Sequence, residues 1–282
     1  MKNVLIITNH RRDRSPGQRF RFEQYIDYLS ENGFSFEFSN LFSESDDEKL
    51  YSKGNLIDKF IIQQKCHRIR KRNLSNVNDY DIVFIFREAL ITGSIRYEKA
   101  FSKSNAKLIY DFDDAIWIPN VSYGNKNLEW LKNYGKTKEI IKLSDFIITG
   151  NYYLKDYADK FNDNVIVIPT TINTTYHIPL NKRKKKERIC IGWTGSKTTI
   201  KHFDMLVPVL QEVKKKYKSQ IYFKMIGDEH YKSQELELQG NKWNFASEIA
   251  DLQEIDIGIM PLPDDEWANG KCGFKGLQYM AL

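Results

Sequence analysis

The chain has 282 residues, a hydrophobic share of 41%, a mean hydropathy of −0.55 and a formal net charge of +6. That length suits two buried cores, because single cores stop growing near about 250 residues, and no apolar run approaches the ~20 residues a membrane-spanning helix requires. Cys66, Cys190 and Cys272 are too few and too scattered for a disulfide framework, and His10, His67, His177, His202 and His230 share no metal-ligand spacing with them, which points to a reducing cytoplasm and away from a metal centre.

Apolar runs alternate with helical patterns along the whole chain, the arrangement that builds a parallel, doubly wound sheet. Residues 4–8 read as a buried first strand rather than a signal peptide. An Arg-rich loop spans 10–17, and Phe22, Tyr25, Ile26 and Leu29 predict a helix over 20–31. A strand over 34–40 precedes a long helical region over 46–73. Strands over 82–86 and 107–111, a helix over 134–143, a strand over 146–149, a helix over 152–161 and a strand over 165–168 complete a first unit, residues 1–173. Pro179 and the basic run 182–186 interrupt both periods, so 174–187 reads as a linker. A second unit, 188–282, restarts with a strand over 188–193, a helix over 200–217 and strands over 221–226 and 255–260. Its last helix begins near Gly273, so this unit is expected to be partial.

Two turns carry the features of a phosphate cradle. Gly195, Ser196 and Lys197 join a strand to a helix, with Lys201 in the helix's first turn; Gly270 to Lys275 repeat the arrangement with Lys271, Gly273, Phe274 and Lys275. The first turn of a helix presents backbone N–H groups, glycine admits an anion closely, and lysines add charge. Strands 188–193 and 255–260 are expected to be neighbours, which brings both turns to one sheet edge. Alone, the Gly195 turn is equally a tight turn with solvated lysines; its pairing with the Gly270 to Lys275 turn favours a phosphate.

Three readings fit Asp111-Phe-Asp-Asp114: a metal-binding carboxylate pair, the Asp111/Asp113 nucleophile and acid of a metal-dependent phosphatase, or a cleft-lining loop with one carboxylate turned to an acceptor. Arg87 and Glu88 leave the strand over 82–86 at its carboxyl end, where both project towards a cleft or form a strand-end ion pair. Trp193, Trp243 and Trp267 offer stacking surfaces, with core packing expected of at least one. Leu56, Ile57, Phe60, Ile61 and Ile62, followed by the basic run over 65–72, read as an amphipathic helix for an anionic membrane surface; the cluster lacks the basic-aromatic interleaving of a nucleic-acid binder.

The run over 256–282 resembles the donor-diphosphate segment of retaining nucleotide-sugar glycosyltransferases of the GT-B type, in particular the family 4 group of bacterial polysaccharide and lipopolysaccharide assembly. Residues 15–21, Arg87-Glu88, 107–114 and 165–169 match the same family in order, so the resemblance spans nearly the whole chain. It implies two Rossmann-like α/β domains, the second incomplete, and sugar transfer from a nucleotide diphosphate sugar to a saccharide or lipid-linked saccharide, with retention and with neither a metal nor a cofactor besides the donor. By resemblance, Arg87, Glu88, Asp113 and Glu266 are the catalytic candidates. Gly195, Ser196, Lys197, Lys201, Lys271, Gly273, Phe274 and Lys275 would take the donor, and Gly17, Arg19 and Arg21 the acceptor. The family carries a pair of glutamates in its donor segment; here Gln278 and Gly270 occupy those places, and Glu266 is the nearest acid upstream. The competing readings are the phosphatase and an inactive nucleotide-binding remnant. Location would be cytoplasmic, peripheral on the inner membrane face.

Overall fold

The continuous apolar runs become parallel strands covered on both faces, the pattern such strands require. The structure, a computed structural model, describes residues 1–51, 56–119, 133–180 and 186–282. It divides into two compact units: Met1–Thr170 with Asn269–Cys272, and Thr171–Ala268 with Gly273–Leu282.

In the first unit the chain runs β1 (Lys2–Thr8), α1 (Pro16–Arg21), α2 (Ile26–Glu31), β2 (Phe34–Asn40), α3 (Glu44–Tyr51), α4 (Leu56–Ser75), β3 (Ile82–Phe86), α5 (Arg96–Phe101), β4 (Lys107–Phe112), α6 (Lys136–Leu143), β5 (Phe146–Thr149), α7 (Tyr152–Ala158) and β6 (Val165–Val167). The sheet order is β2-β1-β3-β4-β5-β6, all parallel. Side chains of β1 alternate between two cores: Leu5 and Ile7 pack with Val83, Ile85 and Leu108, whereas Val4 and Ile6 pack with Phe22, Ile26 and Phe86. The chain leaves β1 towards β2 and returns on the other side to β3, so the winding reverses between β1 and β3. Open α/β sheets bind ligands outside the carboxyl ends of strands at such a reversal.

The second unit contains β7 (Ile189–Thr194), α8 (Ile200–Asp204), α9 (Val207–Tyr217), β8 (Ile221–Ile226), the hairpin β9 (Lys232–Ser233) and β10 (Leu238–Gln239), α10 (Glu248–Gln253), β11 (Ile257–Gly258), α11 (Glu266–Asn269) and α12 (Phe274–Ala281). Its parallel sheet has the order β11-β7-β8, which puts a second reversal between β7 and β11. Trp193, Phe203 and Met225 fill one face and Cys190, Ile226, Leu252 and Ile255 the other.

Several predicted elements are shorter or broken. The helix over 20–31 is α1, a 3-10 turn and α2. The helix over 200–217 divides into α8 and α9, with Pro208 in the first turn of α9, where its missing N–H costs nothing. The region over 46–73 is α3 and α4, with 52–55 outside the described residues. The strand over 255–260 pairs only at Ile257–Gly258, and the β9–β10 hairpin and α10 had no strong periodic signal. Of the basic run over 182–186, only Lys186 is among the described residues; it bonds Glu254 O and the Asp256 carboxylate.

One side chain of the basic 65–72 cluster is corrected outright. Arg70 is 0% exposed and cannot face a membrane, because α4 turns that position onto the sheet. Ile57, Phe60, Ile61, Arg68, Lys71 and Arg72 are exposed and share the outer face of α4.

Candidate active site

At the reversal of the first sheet, Arg87 ends β3 with a backbone φ of +62°, a left-handed conformation that a residue with a Cβ adopts only at a cost of about 1 to 3 kcal/mol. Glu88 N–H donates to Phe86 O at 2.8 Å, closing a tight turn centred on Arg87. This turn swings the Arg87 guanidinium over the end of β4. There Nε donates to Asp113 Oδ1 at 2.7 Å and Nη2 to Asp114 Oδ2 at 2.7 Å. Burial works against the charge, but the two carboxylates outweigh it and raise the Arg87 pKa above the usual arginine value. Lys271 Nζ reaches the other oxygen of Asp114 at 2.8 Å, and the Cys272 thiol donates to Asp113 O at 3.2 Å. A Cβ on Gly17 would stand 3.0 Å from Asp113 Oδ2, so Gly17, Asp113 and Arg87 share one corner of this unit. Glu88 is held by Lys136 Nζ at 2.5 Å and receives Asn9 Nδ2 at 3.4 Å.

Asp111 lies deeper. It is 1% exposed, with Oδ1 at 2.5 Å from Arg21 Nη2 and Oδ2 at 3.2 Å from Arg21 Nε. Arg21 also donates to Ile168 O. Burial pushes the Asp111 carboxyl up to about 6 in spite of Arg21. A carboxylate enclosed in this way has no approach for in-line attack on a phosphate, which removes the Asp111 nucleophile that the phosphatase reading needs. Arg19 is likewise buried, its guanidinium 4.9 Å from the Phe20 ring centre. Among the described residues no group of three or more His, Cys, Asp or Glu is arranged to hold a metal ion.

The second unit builds the other turn. A Cβ on Gly195 would collide with the Trp193 ring, and one on Gly227, at φ +140°, would collide with Gly195 O; only glycine at both positions lets the β7 and β8 turns approach this closely. Ser196 caps the following turn reciprocally with Thr199. Lys197 Nζ lies 3.4 Å from Asp228. Lys201 Nζ sits 5.9 Å from the Trp267 ring centre, while the buried His202 stacks on the same ring at 5.5 Å. Gly273, at φ +69°, is the N-cap of α12, and Lys275 Nζ sits 5.1 Å from the Trp193 ring centre. Glu266 is exposed at the start of α11. Trp193 is a core residue, as expected of at least one indole, and Trp243 donates Nε1–H to Glu248 at 3.2 Å.

The sequence treats Lys271 and Lys275 as one cradle; the structure divides them, giving Lys271 to Asp114 of the first unit and Lys275 to Trp193 of the second. Asn151 Nδ2 fastens the first of these by donating to Asn269 O and Lys271 O, while Gly270 packs against Ala115. Sequence reading also missed Lys136, Asp228 and the interior roles of Arg70 and Glu98. For Lys136, Arg70 and Glu98, only the buried position of a charged residue, invisible locally, could have flagged them.

No protein-family model matches the chain, and no curated protein matches it by sequence. Solved structures do match. An alpha-glucosyltransferase in complex with UDP-glucose and DNA containing an abasic site shares 15% identity at a TM-score of 0.61, over 99% of this chain and 77% of that one. A glycosyltransferase from Rickettsia africae ESF-5 shares 16% at 0.54, over 91% and 71%. The catalytic domain of starch synthase IV from Arabidopsis thaliana, bound to ADP and acarbose, shares 10% at 0.62, over 99% and 81%. The fold is therefore the GT-B scaffold on which these glycosyltransferases are built.

Proposed function

We propose that the chain is a transferase that moves a sugar from a nucleotide diphosphate sugar to a hydroxyl of a saccharide or lipid-linked saccharide, with retention and without a protein-bound metal. The observation that carries this reading is the reversal between β7 and β11, where the first turn of α12, Lys201 and Lys275 supply a helix dipole and cations; the Gly195 and Gly227 N–H groups are themselves taken by Ile226 O and Asn241 O. Gly195, Ser196, Lys197, Lys201, Gly273, Phe274 and Lys275 would take the donor diphosphate. Arg87 and Lys271 would meet charge that develops on the leaving group, the kind of preorganised contact worth about 3 to 4 kcal/mol in a transition state. Glu88 and Asp113 would orient the acceptor hydroxyl beside Gly17. Arg19 and Arg21, being buried, would serve the acceptor side by shaping it, and Glu266 is the acid proposed nearest the donor sugar.

The chemistry of the carboxylates supports metal independence. Asp111, Asp113 and Asp114 are each already engaged by Arg21, Arg87 or Lys271, so their charge is spent on cations of the chain. The exposed apolar and basic residues of α4 support a peripheral contact with an anionic membrane on the cytoplasmic side; among the described residues no helix is long and apolar enough to cross one. Titration calorimetry with UDP, GDP and ADP in the presence of a chelator tests the donor half: one of them should bind. Binding that requires added Mg²⁺ or Mn²⁺ would overturn metal independence, and inverted anomeric configuration of the product, read by NMR, would overturn retention.

A further inference from the structure

The Arg87 turn is held by two interior charges that no role above has used. Arg70 and Glu98 are both 0% exposed. Arg70 Nε donates to Ala89 O at 2.7 Å, and Glu98 Oε1 accepts Ala89 N–H at 2.9 Å, so both backbone polar groups of one residue are taken by buried side chains. Arg70 reaches further. Its Nη2 donates to Thr8 O, at the end of β1, at 2.6 Å, and its Nη1 to Ser39 O, near the end of β2, at 2.9 Å. One guanidinium thus ties the carboxyl ends of β2 and β1 to the turn after β3, across the point where the winding reverses. Beside it, Arg87 N–H donates to Asp111 O at 2.8 Å, Tyr110 Oη donates to Arg87 O at 2.7 Å, and Lys136 Nζ donates to Leu90 O at 2.7 Å.

A stability role alone accounts poorly for this arrangement. A buried guanidinium without a carboxylate in direct contact is costly, and carbonyls at strand ends can be satisfied by water. What the arrangement supplies is rigidity at a backbone that would otherwise relax: the left-handed Arg87 persists only where its surroundings over-determine it. The fan of five N–H donors on one planar group suits a clamp on several carbonyls, which a lysine cannot reproduce.

We infer that Arg70 and Glu98 are positioning residues: by clamping Ala89 they hold the strained turn that aims Arg87 and Glu88, and so act on the transfer step rather than on donor affinity. This inference rests on the glycosyltransferase reading for its kinetic arm only. Glu98→Leu removes the acceptor of Ala89 N–H, Glu98→Gln restores it, and Arg70→Lys keeps the charge but loses the fan. For Glu98→Leu, kcat should fall about 100-fold, the scale expected of a ~1 Å misplacement of a reacting group. Nucleotide affinity should stay unchanged, and Glu98→Gln should recover most of the rate. Backbone amide exchange should quicken at 87–90 in Glu98→Leu and Arg70→Lys while the exchange of β7 and β8 amides does not move. Unchanged exchange at 87–90 in a folded Glu98→Leu chain overturns the clamp, as does a rate loss that Glu98→Gln fails to restore. A wild-type chain that binds no nucleotide defeats the transferase reading instead, and the exchange measurement still decides the clamp.

Discussion

Gly276 tests the donor half of the site with opposite signs on two measurements. It is the third residue of α12, and a Cβ placed there meets nothing within 4 Å. Glycine in a helix is less favourable than alanine by roughly 0.5 to 1 kcal/mol, because it loses more backbone freedom on folding. Gly276→Ala should therefore stabilise the second unit by about that amount, read as a higher urea midpoint with unchanged slope. The open space also shows that protein packing does not call for a glycine here. If the phosphates of a nucleotide occupy that space, the new methyl overlaps them, and forced overlap costs about 1 to 3 kcal/mol, or roughly 5- to 150-fold in affinity. Calorimetric titration with UDP, GDP or ADP reads the second effect. A variant that gains stability and keeps its nucleotide affinity would show that the first turn of α12 is not the phosphate site. One that gains no stability would show that Gly276 serves a local backbone need.

Arg87→Ala should lower kcat about 100- to 1000-fold, the usual loss for one preorganised electrostatic contact, with nucleotide affinity little changed; steady-state kinetics showing an unaltered kcat would exclude Arg87 from the reaction. The His10 imidazole is depressed below 6.5 by burial, with the cations of Arg14 and Arg87 adding to it and Asp47 opposing it. Unfolded His10 keeps the ordinary value of about 6.5, so on acidification the unfolded chain takes a proton that the folded chain refuses; this contribution to stability is present above that pH and is lost as pH falls through the folded value. An NMR titration placing His10 at or above 6.5 would reverse the sign. For α4, replacing Arg68, Lys71 and Arg72 with Gln should remove most binding to vesicles rich in anionic lipid, at about 1 kcal/mol per charge; equal binding to neutral vesicles would point to Ile57, Phe60 and Ile61 acting without charge.

Local rules made much of the fold legible. Period and turn chemistry identify most strands of both sheets, because a buried parallel strand is a short apolar run bounded by polar turns, and that pattern lies within a few neighbouring residues. The same rules place the Gly195 and Gly273 turns and the strand-end position of Arg87. They fail where a distant partner decides, as when β11 is trimmed to the two residues that pair with β7; the break of α9 from α8 at Pro208 is instead a local signal, carried by the proline itself.

By itself, the sequence determined that this chain forms parallel α/β units with glycine-lined, lysine-bearing turns at strand ends, since those features follow from residue type and spacing. Tertiary structure alone decided which charges work where. Arg70, one of five lysines and arginines in a seemingly solvated run, is drawn into the interior by carbonyls contributed from positions 8, 39 and 89. Lys271 and Lys275, four positions apart, go to different units because Asp114, 157 residues away from Lys271, takes one of them. A side chain's partner is set by which strand ends the sheet order brings together, and a strand order that reverses twice cannot be read from any local stretch of the chain.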